Sequence, residues 1–175
     1  MNRILKYLWF HLVMLLTGWL PDLRPVLRIR GCLVRPALAG CGRNLMLCRH
    51  VYIAFPDRLQ VGANVYFAYG AWIQAGGGIR IEDDVVIGPY AVLVAGDHVF
   101  EDGRYRIDRG LRAPIHLKRG CWVAAHATVT KGVTIGHGAM LAANAVATED
   151  LPDRCVAAGV PARVIRSVGE QESVS

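Results

Sequence analysis

The sequence predicts an all-β fold: a parallel β-helix preceded by one hydrophobic helix and broken once by a long loop excursion. Three observations carry this. From Leu117 an aliphatic or small residue returns every sixth position, at Val123, Val129, Ile135, Leu141 and Ala147, without a miss. The fifth place of those hexads is small or β-branched, at Cys121, Ala127, Val133, Ala139 and Ala145. The same spacing recurs upstream in three shorter runs. A helix repeats near 3.6 residues and a strand at about 2. A hexad instead makes one short strand and a turn of a solenoid, three hexads closing a triangular coil. The aliphatic residue then points inward onto its equivalent one coil away, and the small residue fits beside the turn.

Taken in order, residues 1–40 are a hydrophobic helix followed by a basic linker. The solenoid spans 41–166, and 167–175 form a flexible tail. Cys41, Leu47 and Ile53 begin the repeat. A two-residue slip leads to Val61, Phe67 and Ile73, and another, at the Gly76-Gly77-Gly78 run, to Ile81, Ile87 and Leu93. Each slip reads as a bulged corner that leaves the inward faces in register, so that 41–93 and 117–150 make about five coils. Between Val94 and His116 the period is lost. That excursion carries Asp97, His98, Glu101, Asp102, four arginines and Pro114, and a long insertion in a regular scaffold is where function concentrates.

The chain has 175 residues, enough for one domain. Its net charge of +6 is uneven. Residues 1–60 hold nine Lys and Arg against Asp22 and Asp57, while the remainder holds eleven basic residues against twelve acidic ones. The basicity therefore belongs to the N-terminus, which argues against nucleic acid along the solenoid and for an anionic surface near the start of the chain. Five cysteines, an odd number with no CxxC pair, read as free thiols in a reducing compartment.

Ile4 to Leu20 is almost wholly apolar and is closed by Pro21-Asp22. Seventeen residues of helix reach about 25 Å, short of a ~30 Å hydrocarbon core. Tyr7, Trp9 and Trp19 suit the headgroup level, and Arg24, Arg28, Arg30 and Arg35 follow at once. No small-residue cleavage site marks a signal peptide. The expectation is peripheral attachment of residues 4–35 to an anionic membrane surface. A helix packed on the solenoid or at a subunit contact, and a true span, are the alternatives. Residues 21–40 read as a surface connection.

His98, in Ala95-Gly96-Asp97-His98 at the mouth of the excursion, is the candidate general base. An imidazole near neutrality can take a proton from a hydroxyl or amine as it attacks a carbonyl. Asp97 or Glu101 could orient or polarise it. The remaining histidines, His11, His50, His116, His126 and His137, lack the close spacing of zinc ligands and read as exposed, so no metal is expected. Nucleophile-elbow, Walker and dinucleotide motifs are missing, and the glycine run reads as a corner. Toward the C-terminus, small residues over 142–147 would let an extended ligand lie against backbone. Arg163 and Arg166, after Gly159-Val160-Pro161, could hold phosphates.

Four segments resemble the hexapeptide-repeat, left-handed β-helix acyltransferases: Ala95-Gly96-Asp97-His98, Cys121 to His126, Gly132-Val133-Thr134-Ile135-Gly136, and Ala158 to Arg166. The branch they are most similar to is the galactoside/maltose and colanic-acid acetyltransferases. The resemblance implies acetyl-CoA as cosubstrate, homotrimers with sites between subunits, and His98 as base. It implies that Trp122 lines the site, that Ala125 and Ala143 offer backbone to the pantetheine arm, and that Thr148, Arg163 and Arg166 lie near the adenosine phosphates. Glu149 stands where the family often has lysine, removing one cation there. A sugar or lipid-linked oligosaccharide acceptor, reached at the inner face of the cytoplasmic membrane, is the implied substrate. N-acylation of an amino sugar and a non-catalytic scaffold are the alternatives.

Overall fold

In the computed structural model, which describes residues 2–169, three parallel sheets wrap into a left-handed triangular prism with five complete coils and the start of a sixth. The first face carries Gly40–Cys41, Leu59–Val61, Ile79–Ile81, Ile115–Leu117 and Thr134–Ile135. The third carries Tyr52–Ala54, Trp72–Gln74, Val92–Val94, Thr128–Thr130 and Val146–Ala147. The second runs from Met46–Leu47 to Met140–Leu141 and gains Cys155–Gly159 and the antiparallel Ala162–Ser167 at its end. Register pairs join Cys41 to Val61, Val61 to Ile81, Ile81 to Leu117 and Leu117 to Ile135, so the hexad positions stack as expected.

The six-spaced residues form the core. Leu117, Val123, Val129, Ile135, Leu141 and Ala147 are all buried, as are the small residues one hexad place away. Only Cys41, in the outermost coil, is half-buried. The slips are corners as read: Pro56–Arg58 makes a short 3₁₀ turn, and the Gly76–Gly78 run turns the next coil. The corner ladder Asn44, Asn64 and Asp84 is bonded side chain to side chain at 3.0 and 2.9 Å. All three residues have positive φ, which Asn and Asp tolerate best among residues with a side chain.

The N-terminus differs from expectation. Two helices form, not a helix and a loose linker. The first, α1 (Arg3–Thr17), is capped by the Asn2 side chain, which accepts from the Leu5 N–H at 2.9 Å. The second, α2 (Arg24–Val34), starts with proline in its first turn. Residues 21–40 are thus largely a helix laid on the first coils. α2 packs so closely there that a Cβ on Gly31 would meet the Leu45 carbonyl oxygen at 2.0 Å. The Pro and Arg content reads as a surface connection because Arg30 gives no sign, in sequence, of being buried.

Arg30 is in fact fully enclosed. Its guanidinium donates to Asp22 Oδ1 at 3.0 Å, the Leu47 carbonyl at 2.7 Å and the Thr17 carbonyl at 3.0 Å, and its Nε donates to Thr17 Oγ1 at 3.1 Å. It therefore ties the last turn of α1, where carbonyls lack helical partners, to α2 and the solenoid. α1 buries Phe10, Val13 and Thr17 against the coils. Its other side leaves Leu8, Leu12, Leu15 and Leu16 exposed, and Trp19 beyond its end is 77% open. No described helix is long and apolar enough to cross a membrane. At the far end the chain stays ordered through Ser167, and the Val168 N–H bonds the Arg154 carbonyl at 2.7 Å. Residues 170–175 of the expected tail lie outside the described residues.

Candidate active site

The excursion is a β-hairpin. Gly96–Glu101 pairs antiparallel with Arg104–Arg112 around Asp102-Gly103, both at positive φ. That Asp-Gly pair is the usual signature of a two-residue hairpin turn, and it marked the strands where sequence reasoning had only a loop. His98 lies opposite Gly110, just before the register shifts toward the Phe100–Tyr105 pair. Glycine is required there, since a Cβ at 110 would come within 2.5 Å of the Asp97 carbonyl oxygen.

The His98 ring is fixed by one contact. Its Nδ1 lies 2.8 Å from the Arg106 carbonyl oxygen. A carbonyl only accepts, so Nδ1 carries the proton and Nε2 keeps its lone pair. No described residue bonds Nε2. An imidazole held this way can accept a proton from a bound hydroxyl. It looks into a cleft of about 410 Å3 between the hairpin and the third face, walled by Phe55, Trp72, Gln74, Val94 and Arg112.

Asp97 and Glu101 are close to His98 in sequence, but neither hydrogen-bonds the ring. The role expected of a carboxylate falls to the Arg106 carbonyl. Asp97 accepts from Lys131 Nζ and from the His98 backbone N–H, both at 3.0 Å, and these contacts hold its pKa below the ordinary carboxylate value. It anchors the root of the hairpin to the corner after Thr130. Glu101 pairs with Arg109 at 3.3 Å across the hairpin, and Arg106 forks onto Asp108 at 3.0 and 3.2 Å. Both carboxylates stiffen the hairpin instead of touching the imidazole.

Of the residues assigned to the cofactor, Trp122, Ala125 and Ala143 lie away from the His98 hairpin. Trp122 points outward from the second face and is 44% exposed. Ala125 and Ala143 occupy the same corner one coil apart, joined by the Asn144 N–H bonding the Ala125 carbonyl at 3.0 Å. His126 and Asn144 take positive φ at that corner. Thr148 is exposed beyond it, and Arg163 and Arg166 sit on the final strand, paired with Ala158 and Val156. Glu149, the departure from the family pattern, lies 3.5 Å from Arg163. The corner of Ala125 and Ala143 joins the second face to the third, whereas the His98 hairpin leaves at the third-to-first corner. A single chain therefore holds His98 and the Ala125–Ala143 corner on opposite edges of the third face, while Thr148, directly after Val146–Ala147, falls at the His98 edge.

Two further histidines make contacts within the fold. His116 pairs with Glu82 at 2.8 Å. His11 is half-buried against Tyr7, Phe10 and Tyr52, and burial lowers its pKa. Neither is the plain surface histidine expected. The five thiols are unpaired, and burial pushes Cys121 up to about 12, so it is no nucleophile.

A prism of hexads with an imidazole-bearing hairpin and a small-residue corner is the frame of a hexapeptide-repeat transferase. No family model matches the sequence. WcaF of Escherichia coli K12, named as a colanic acid biosynthesis acetyltransferase, is 30% identical over 171 residues, covering 98% of this chain and 91% of WcaF. Galactoside O-acetyltransferase of the same organism is 29% identical over 143 residues, 82% of this chain and 70% of that protein. A solved galactoside acetyltransferase in complex with coenzyme A superposes with a TM-score of 0.82 at 27% identity, over 95% of this chain and 82% of that one. The chain belongs to the hexapeptide-repeat acetyltransferases.

Proposed function

We propose that the protein transfers an acetyl group from acetyl-CoA to a sugar hydroxyl during synthesis of a surface polysaccharide or its lipid-linked precursor, with His98 as general base. The observation that carries this is the Arg106 carbonyl on Nδ1, which leaves Nε2 without a hydrogen-bond partner among the described residues on a side chain that lines the cleft. Nε2 takes the hydroxyl proton as that oxygen bonds to the thioester carbonyl carbon. The C–S bond then breaks, and the departing thiolate recovers the proton from the imidazolium. Oxygen as the acceptor atom is supported by the galactoside relative, which is named an O-acetyltransferase. The separation of His98 from the Ala125–Ala143 corner supports a trimer in which one subunit's hairpin meets its neighbour's corner. Trp122, Ala125, Ala143, Thr148, Arg163 and Arg166 would then hold the acetyl-CoA, and no metal takes part.

Attachment to the inner face of the cytoplasmic membrane through residues 4–35 completes the reading. The apolar outer side of α1, Trp19 and the basic N-terminal sixty residues support it. Co-sedimentation with anionic vesicles, weaker at high salt and lost on deleting residues 2–22, is the expected behaviour. Indifference to every vesicle would make that face a subunit contact. For the reaction itself, mass spectrometry of the surface polysaccharide from a deletion strain should show one O-acetyl group fewer per repeat. An unchanged polysaccharide would sink this acceptor class.

A further inference from the structure

Between α1 and His98 the third face carries two outward aromatic side chains, half-buried Tyr52 and exposed Trp72, to which the chemistry above gives no role. Tyr52 and Trp72 hold the same outward register on successive coils, and their rings stack with centroids 5.8 Å apart and planes 17° from parallel. Trp72 is 39% exposed and walls the His98 cleft. Tyr52 belongs to a second, larger cavity of about 740 Å3, between α1 and the corner at Phe55. Phe55 lines both cavities and so forms the divide between them. Its φ of 60° is a conformation a bulky side chain rarely takes. The Arg3 guanidinium lies over its ring at 4.7 Å.

The lining of the second cavity decides its ligand. Tyr7, Tyr52 and Phe55 supply aromatic surface, Ile4 and Ala54 add aliphatic surface, and Asn2, Arg3 and Asp57 supply an amide, a guanidinium and a carboxylate. That mixture suits a pyranose, whose C–H face packs on an aromatic ring while its hydroxyls bond polar groups at the rim. An alkyl chain would desolvate the same three polar side chains and return no hydrogen bonds. Successive coils lie about 4.8 Å apart, comparable with the advance of a linked pyranose chain by one ring. The Tyr52 and Trp72 rows therefore offer consecutive sugar positions leading to Nε2 of His98.

We propose that the acceptor is an oligosaccharide read over at least two rings: the reacting sugar sits in the His98 cleft against Trp72, and its neighbour in the Tyr7–Tyr52–Phe55 cavity. The inference rests on the acetyltransferase reading and adds the residues that set acceptor length. Its test uses methyl β-D-galactoside, linear β-1,4-galactotriose and dodecyl β-D-galactoside, with methyl glucoside and maltotriose as a second series. Thiol release from acetyl-CoA reports turnover, and saturation-transfer NMR reports binding in the same samples. A trisaccharide should exceed its methyl glycoside in kcat/KM by about tenfold, the factor that ~1.4 kcal/mol carries. Tyr52→Ala should collapse that ratio toward one, and Tyr52→Phe, which keeps the ring, should preserve it. A ratio near one in both turnover and binding overturns the inference and leaves the acetyltransferase standing. A gain for the dodecyl glycoside with none for the trisaccharides assigns the cavity to a lipid and also overturns it. Failure of every saccharide to bind or react removes the sugar acceptor altogether.

Discussion

Arg30 is expected to hold the helical cap on the solenoid. Replacing it with Leu removes donors from the Leu47 and Thr17 carbonyls, from Thr17 Oγ1 and from Asp22. Asp22 then keeps only Arg49, at 3.4 Å from Nε and 3.0 Å from the backbone N–H. Removing one member of a buried ion pair costs about 3–5 kcal/mol. The Asp22 side chain is 21% exposed, so water relieves part of the loss and the lower end applies. About 3 kcal/mol corresponds to roughly two orders of magnitude in the docking equilibrium. Hydrogen exchange read by mass spectrometry should show α1 and α2 amides exchanging about a hundredfold faster. Amides of the Val123–Ala147 coils should keep their protection, because no contact of Arg30 reaches them. Arg30→Lys, with charge but no fork, should fall between. Unchanged protection of α1 would mean that Arg30 does not hold the cap, and a uniform loss along the whole chain would make cap and solenoid one cooperative unit, contrary to the expected local effect.

Val129→Asp places a carboxylate in the fully buried ladder and should cost several kcal/mol; a variant with an unaltered denaturation midpoint would contradict the inward assignment. Arg163→Ala and Arg166→Ala should raise KM for acetyl-CoA well above any change in KM for the acceptor. Glu149→Gln, by releasing Arg163 from its 3.5 Å contact, should lower that KM; equal effects on both substrates would make the arginines structural. His11 titrates below its usual value because burial disfavours the cation. The unfolded chain therefore binds a proton the folded one refuses, and the contribution of this site is complete above pH ~6.5 and lost as pH falls below it. Glu82, Asp83 and Asp97 also have lowered pKa values, but their losses begin only near the carboxylate range. His11→Phe should abolish the first step of acid destabilisation, seen as a flat melting temperature between pH 7 and 5; persistence of that step would place it elsewhere.

The coils were legible because the hexad pattern is a direct imprint of one inward side chain per strand. Each of Val123, Val129 and Ile135 answers to a single geometric demand, and nothing else competes for the position. The hairpin was partly legible: Asp102-Gly103 marked its turn, but Phe100 and Tyr105 are exposed and give no alternation to betray strands. α2 was hidden because Arg30 and Pro25 look like linker residues until acceptors from Thr17, Asp22 and Leu47 converge on one guanidinium. His98 could be chosen from its place at the excursion, yet the group that orients it could not. A backbone carbonyl has no letter in the sequence, and the nearby carboxylates of Asp97 and Glu101 were the visible candidates. Trp72 left a faint signal, a large aromatic at an outward hexad position beside Ile73. Its position in the His98 cleft follows only from the folding of the hairpin over the third face.

Acyl transfer to an acceptor hydroxyl requires His98 Nε2 to act as the base. Purified protein, labelled acetyl-CoA and the galactoside and glucoside acceptors above test it directly, with the product identified as an O-acetyl ester by its alkali lability. Wild-type protein should form the ester, and His98→Ala should lower kcat by about 10²–10⁴-fold while KM for acetyl-CoA stays within a factor of about two. Ester formation by His98→Ala at the wild-type rate would contradict the account.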